Sequence, residues 1–275
     1  MRVIFDEELK AVADDLDRMV QDVRKAINGA GDALLKQDIE AAQSVIDGDI
    51  EIDALESSVI DQCIRLLAKQ NPVATDLRVV VSTLRLAATF ERMGDLAKHI
   101  AEAARRIYPE PALPAEATEL FTEMQQFLSM TADRIVVMLQ DRDAKPAEEI
   151  ILDDDKLDAL HHKTFDLALS DKWTGSRQEL IDVVLLGRFM ERLGDHAVSA
   201  SRRVVYIVSG FDPSKEPSRD EDGAVEWRRP RRCRHRHSAI TELLSTESPM
   251  NGETATAARR FCMPRRAVRG LEPGS

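Results

Sequence analysis

Apolar residues recur at steps of three and four along the first part of the chain, which is the spacing of one face of an α-helix. The first such stripe is made of Leu9, Val12, Leu16, Met19, Val23 and Ile27. Asn28, Gly29 and Gly31 follow it, and we expect them to end or bend this helix. A second stripe repeats once per heptad, at Val45, Ile52, Val59 and Leu66, and Asn71-Pro72 predicts its end.

A third helix is predicted to begin near Asp76, and its apolar line is Leu77, Val81, Leu84 and Ala88. Pro109, Pro111 and Pro114 then exclude regular helix and indicate a boundary. A fourth stripe follows at Leu120, Met124, Phe127, Ile135 and Met138, with a break predicted at Lys145-Pro146. The fifth helix is predicted over roughly 151–169. Ser176 marks the start of a sixth, which runs to about Ser209 and is closed by Gly210 and Pro213.

Three helices, a proline-rich break and three more helices predict an all-α fold of two tandem three-helix bundles. We place the first repeat at 1–110 and the second at 115–213. Aromatic residues make up only 4% of the 275 residues, and good helix formers dominate the composition. No run is long and apolar enough for a membrane span, and the first residues do not resemble a signal peptide.

Residues 214–275 differ from the rest, with 13 basic and 9 acidic residues and no sustained apolar period. We expect this basic tail to be disordered. Alternatives are a nucleic-acid or anionic-lipid patch around 228–237, a stray metal site at Cys233, His235 and His237, or an unselected extension of the reading frame. The net charge of −11 argues against general nucleic-acid binding by the core. Three cysteines without a CxxC pair indicate a reducing compartment, so we expect a cytoplasmic protein.

Four acidic pairs recur with i, i+4 spacing. Glu91-Arg92-Met93-Gly94-Asp95 returns one hundred residues later as Glu191-Arg192-Leu193-Gly194-Asp195. Each of these pairs follows a helix that carries two aspartates at the same spacing. These are Asp49 and Asp53 in the first half, and Asp154 and Asp158 in the second. In the third helix the acids continue the predicted apolar line, so we expect them to face the bundle and to need neutralisation.

Two kinds of neutralisation fit the residues equally well. Arg92 and Arg192 could form a salt-bridged face, although one position along a helix turns them about a quarter of the way round. Alternatively the acids could bind cations: all-oxygen ligation suits Mg²⁺, Ca²⁺ or Mn²⁺, and carboxylate-rich bundles also hold iron. His99 could add a ligand one turn beyond Asp95, but Ser199 stands at the matching position. Gly94 and Gly194, each costing a helix about 1 kcal/mol, suggest close approach of another helix or a ligand.

The stretch NPVATDLRVVVSTLRLAATFERMGDLAKHIAEAARRIY resembles the PhoU family of phosphate-signalling regulators, and ERLGDHAVSASRRVVYIVSGFDP resembles the end of the same family. The similarity covers about residues 1–213. The second half has Ser176-Arg177-Gln178 where the first has Asp76-Leu77-Arg78, so the halves are expected to differ in partner contacts. The basic tail lies outside the family pattern.

The resemblance implies a cytoplasmic, non-enzymatic negative regulator of phosphate uptake and phosphate-starvation signalling. It implies an adaptor, often a homodimer, between the ATPase subunit of a phosphate ABC transporter and a phosphate-sensing histidine kinase, with the membrane reached only through these partners. It also implies divalent or trivalent metal ions (iron, zinc, magnesium, manganese or calcium) at the acidic motifs. The ligands carried over are Asp49, Asp53, Glu91 and Asp95, then Asp154, Asp158, Glu191 and Asp195.

Two other functions are weighed against the regulator. A carboxylate-bridged metalloenzyme would use the same acids, but the sequence offers no flanking nucleophile, no repeated histidine and no phosphate-cradling glycine loop. A phosphotransfer module would place a phosphoryl group on His99 or His196. Catalytic turnover would favour the first alternative, and transfer of phosphoryl from a cognate kinase the second.

Overall fold

The computed structural model describes residues 2–141, 144–171 and 173–210, with side chains from residue 4 onward. Six α-helices account for nearly all of these residues, and the described ranges contain no β-strand. The helices are α1 (Arg2–Lys36), α2 (Ile39–Gln70), α3 (Thr75–Ile107), α4 (Ala115–Gln140), α5 (Ala144–Ala168) and α6 (Arg177–Ser209). The all-α prediction is confirmed, while the predicted basic tail at 214–275 lies outside the described residues. No described helix is long and apolar enough to cross a membrane.

Each half forms a three-helix unit, and the two units share one apolar core. In the first, α2 and α3 pack on α1 and on each other; in the second, α5 and α6 pack on each other and on α4. Two further contacts join the halves, α1 with α4 and α3 with α6.

The α3–α6 contact is antiparallel and centred on the repeated motif. Arg106 near the end of α3 bonds Asp182 near the start of α6, while Arg78 near the start of α3 donates to the carbonyl of Ile207 near the end of α6. Between them, the His99 ring meets the edge of Phe189. Residue numbers on α6 therefore fall as those on α3 rise, so the two glycine motifs lie at the same level of the bundle.

Local signals explain most helix ends. Asn71 caps α2 in the left-handed conformation just before Pro72, as the sequence predicts. Ser176 and Glu179 form a capping box at the start of α6, and Gly210 ends it with a φ of 76°. Pro146 lies in the first turn of α5, where its missing N–H costs little, so α5 begins at Ala144 rather than near residue 151.

The sequence predicts that Asn28, Gly29 and Gly31 end or bend the first helix, but the helix does not end there: α1 continues to Lys36. The two glycines are instead sites of close helix contact. A Cβ at Gly29 would meet Val45 of α2 at 2.7 Å, and one at Gly31 would overlap Gln125 of α4. The Gln125 amide also donates to the carbonyl of Ile27. These glycines therefore let neighbouring helices approach.

The predicted buried face of α3 is also wrong. Leu77, Val81 and Ala88 are exposed and Leu84 is only half-buried. The buried face mixes large apolar residues with small and polar ones: Val80, Ser82, Thr83, Leu86, Ala87, Phe90, Met93, Gly94 and Ala97. Because α3 touches α1, α2 and α6, it is buried over a wide arc that includes polar and small positions. The stripe of α2 is confirmed, as is that of α1 apart from the half-buried Leu9, and so are Met124, Ile135 and Met138 of α4.

Two adjacent valines test which face of α3 is buried. Val80 is fully buried and Val81 is 39% exposed. We expect Val80→Ala to lower the free energy of unfolding by about 2 kcal/mol, from the lost methyl groups and the cavity, and Val81→Ala by less than about 0.5 kcal/mol. Urea denaturation followed by circular dichroism measures both. Equal losses of unfolding free energy, or a larger loss for Val81→Ala, would contradict the burial of the α3 face that carries Val80.

Candidate metal centres on two matching helix pairs

The structure brings the eight acids together as two clusters, one on each helix pair. Cluster 1 comprises Asp49, Asp53, Glu91 and Asp95 on α2 and α3; cluster 2 comprises Asp154, Asp158, Glu191 and Asp195 on α5 and α6. Burial raises the pKa of Asp53, and the charges of Asp49 and Asp95 raise it further. Burial likewise raises the pKa of Asp154, reinforced by Asp158 and Asp195. Acids of both helices therefore influence one another in each cluster.

Glycines set the distance between the helices at each cluster. A Cβ on Gly94 would lie 3.0 Å from Cδ1 of Ile52 and 3.6 Å from Oδ1 of Asp49. A Cβ on Gly194 would overlap the side chain of Leu157, the residue that matches Ile52. The predicted close approach at both glycines is confirmed, and the approaching group is the neighbouring helix.

Asp49 is the most deeply buried of the eight acids, with 3% of its surface exposed. Its Oδ2 accepts a 2.6 Å hydrogen bond from Nζ of Lys98, which raises the pKa of Lys98. Its Oδ1 is buried and has no hydrogen-bond partner in the described part of the chain. An unsatisfied buried carboxylate oxygen costs about 1–3 kcal/mol or more, so this atom is suited to a cation or a bound water.

Glu91 and Asp95 are half-buried at the edge of the buried face of α3 rather than within it, and Asp53 is exposed on α2. Burial raises the pKa of Glu91, followed by the charge of Asp95. Arg92 reaches both acids, at 2.9 Å from Oδ2 of Asp95 and 3.4 Å from Oε2 of Glu91. The helix position of Arg92 predicts a side chain that points about a quarter turn away from the acids. The arginine side chain is long enough to reach both carboxylates from there.

Cluster 2 is neutralised less completely. Arg188 donates to both oxygens of Glu191 at 2.6 and 2.5 Å. The position that carries Lys98 in α3 carries the buried Val198 in α6, so no ammonium group stands opposite Asp154. Among the described residues, Asp154, Asp158 and Asp195 form no ion pair. The salt-bridged alternative therefore describes part of cluster 1 but little of cluster 2.

Two residues missed by the sequence analysis extend the clusters. Glu56 lies beside cluster 1, where burial raises its pKa and Asp53 and Asp95 raise it further. His161 occupies the matching position beside cluster 2 and is buried, with no hydrogen-bond partner for Nε2 among the described residues. The signal was present in the sequence: the echo of Asp53-Ala54-Leu55 by Asp158-Ala159-Leu160 continues directly into Glu56 and His161.

The remaining candidate histidines face other surroundings. His99 contacts Phe189 of α6 and lies 3.9 Å from Glu102, so it is directed away from the α2 acids. Burial lowers the pKa of His196, as do the charges of Arg192 and Arg92, opposed by Asp195. Two cavities of about 10 and 570 Å³ border the helices, and neither is lined by any of the eight acids.

Oxygen-rich donor sets with an unsatisfied buried oxygen fit a hard or borderline cation. In the described ranges, no three histidine, cysteine or carboxylate side chains are already arranged to hold a metal ion. Side-chain rotation would therefore be required on binding. Released from Lys98 and the arginines, the acids could supply ligands from two helices at each cluster.

Comparisons of the sequence with a family model and with known proteins agree on one family. The model of the PhoU domain matches residues 16–104 and again 121–204. A phosphate-specific transport system accessory protein, PhoU homolog 1 of Mycobacterium tuberculosis, is 36% identical over 216 residues, covering 78% of this chain and 98% of the relative. PhoU homolog 2 of the same organism is 35% identical over 213 residues, covering 78% of this chain and all of the relative.

Solved structures agree with the sequence relatives. The crystal structure of PhoU from Pseudomonas aeruginosa superposes with a TM-score of 0.70 at 26% identity, covering 75% of this chain and all of that one. The phosphate transport system regulatory protein PhoU from Streptococcus pneumoniae gives a TM-score of 0.69 at 25% identity, covering 77% of this chain. Two matched domains, the relatives and the shared fold together show that the chain belongs to the PhoU family.

Proposed function

We propose that this protein is a cytoplasmic, non-enzymatic regulator of phosphate uptake and of phosphate-starvation signalling. The observation that supports this most strongly is the match of both repeats to relatives named phosphate-specific transport system accessory proteins, over nearly their full length. The protein would act as an adaptor, as a homodimer, between the ATPase of a phosphate ABC transporter and a phosphate-sensing histidine kinase. The two helix pairs would supply rigid surfaces for these partners.

We further propose that clusters 1 and 2 bind metal cations. The buried Oδ1 of Asp49 and the acids of cluster 2 support this proposal, since Oδ1 has no hydrogen-bond partner and Asp154, Asp158 and Asp195 form no ion pair among the described residues. A bound cation would supply the positive charge that offsets carboxylate repulsion. The residues that would hold it are the four acids of each cluster, while Lys98, Arg92 and Arg188 would move to solvent.

The metalloenzyme alternative gains little from the geometry. The acids lie along packed helices, and cavities of about 10 and 570 Å³ that border the helices are lined by other residues. We therefore propose that any bound metal stabilises or signals and does not catalyse.

Removing charge from cluster 1 tests the metal proposal directly. We expect Glu91→Gln with Asp95→Asn to lose about half of the bound metal, because the second matching cluster remains intact. The amides keep the side-chain shape but are weaker ligands. Mass spectrometry of protein purified without chelator measures the metal. Glu119→Gln with Glu123→Gln, an exposed i, i+4 pair on α4, is the matched control and should retain full metal content. Unchanged metal in the first variant would remove the assignment.

Stability in the absence of metal should depend on pH through Glu91. Burial and nearby acids raise the folded-state pKa of Glu91, so its charged form destabilises the fold. We expect Glu91→Gln to be more stable than wild type at pH 7 in chelator, and the difference to vanish as the pH falls below the ordinary carboxyl range. Urea denaturation at several pH values measures this. A Glu119→Gln control should stay within about 0.5 kcal/mol of wild type. A variant less stable than wild type at pH 7 would contradict the electrostatic argument.

The regulatory role is tested in cells. Deleting the gene is expected to switch on a phosphate-starvation reporter in phosphate-rich medium, because repression would be lost. Complementation with the full chain should switch it off again. Complementation with residues 1–213 shows whether the basic tail contributes. A reporter that stays silent in a strain without another member of the family would contradict the proposed function.

A further inference from the structure

The two clusters are aligned residue by residue but differ in one donor. Cluster 1 continues as Asp49, Asp53 and Glu56, and cluster 2 as Asp154, Asp158 and His161, with identical spacing. One site therefore offers only oxygen, whereas the other offers an imidazole nitrogen at the same place on the helix.

Contacts on either side fix the direction in which His161 points. Leu157, four residues before it, packs on Gly194 of α6, and Thr164, three residues after it, packs on Gly187. Residues three and four apart share one helix face. His161 therefore faces α6 between Gly187 and Gly194, the segment that contains Glu191.

The imidazole of His161 is held in place but not satisfied. Only 9% of the residue is exposed, its ring meets the ring of Phe165 at 5.0 Å, and its Nε2 has no hydrogen-bond partner among the described residues. The titratable side chains that act on the ring are the basic Arg188 and His162 and the acidic Asp158 and Asp195. A buried ring nitrogen without a hydrogen-bond partner, near two carboxylates that form no ion pair, is the arrangement expected of an unfilled ligand.

We propose that His161 is a metal ligand of cluster 2, so that the two sites of one chain bind cations of different chemical class. Cluster 1, with Glu56, has the all-oxygen set that suits Mg²⁺, Ca²⁺ or Mn²⁺. Cluster 2, with His161, has a mixed nitrogen and oxygen set that favours Zn²⁺ or Fe²⁺ over Mg²⁺ and Ca²⁺. The inference rests on the metal binding proposed above and assigns a distinct selectivity to each site.

The test is equilibrium dialysis of metal-free full-length protein against Zn²⁺ in a large excess of Mg²⁺, with bound metals counted by mass spectrometry. Wild type should retain Zn²⁺ at one site of the chain. His161→Glu, which copies the donor set of cluster 1, should weaken this Zn²⁺ binding about tenfold or more while Mg²⁺ or Mn²⁺ binding in the absence of Zn²⁺ persists. His162→Glu, at the exposed neighbouring position, is the matched control and should behave as wild type.

If His161→Glu impairs folding, the reciprocal substitution in cluster 1 still tests the proposal. Glu56→His should create a second Zn²⁺-selective site in cluster 1. In ¹⁵N-histidine-labelled wild type, Zn²⁺ should shift the Nε2 signal of one histidine, and that signal should be missing in His161→Gln. Wild type that binds no metal at either cluster would overturn the metal proposal as a whole. Metal binding with unchanged Zn²⁺ preference in both swapped variants would overturn the role of His161 alone.

Discussion

The close packing of α3 against α2, and of α6 against α5, is the contact on which the rest of the structure depends, and a glycine makes it possible in each pair. Gly94 and Gly194 give up about 1 kcal/mol of helix propensity each, and in return Ile52 and Leu157 can lie directly on the neighbouring backbone. This spacing brings carboxylates on two helices within electrostatic range. A wider separation would leave them as ordinary solvated surface acids.

Bringing the acids together creates a repulsion that the halves relieve differently. In the first half, Lys98 pairs with Asp49 of α2, and Arg92 pairs with Glu91 and Asp95 of its own helix. In the second half, Arg188 pairs with Glu191, and Asp154, Asp158 and Asp195 form no ion pair among the described residues. The two clusters therefore share one backbone geometry but differ in how many of their carboxylates are ion-paired. Proposals about cations apply to both clusters, but the electrostatic demand is greater in the second.

Sequence patterns predict the fold well where one side of a helix is buried and less well where several are. The heptad stripe of α2 and the capping signals of α6 are confirmed because each depends on local chemistry. The face of α3 was misplaced because three neighbours bury Ser82, Thr83 and Gly94, which no apolar period marks. The co-location of the acids followed from the repeat, and the repeat also marked Glu56 and His161. The pairing of Lys98 on α3 with Asp49 on α2 required knowledge of which side chains meet across helices.

The matching burial of 81–94 and 181–194, position for position, has an evolutionary consequence. A tandem duplication gives both copies the same packing requirements, so the buried positions are constrained together. Other matching positions differ in chemistry: half-buried Lys98 corresponds to the buried Val198, and half-buried Glu56 corresponds to the buried His161. The repeated packing thus leaves each half able to carry its own side-chain chemistry on a shared framework.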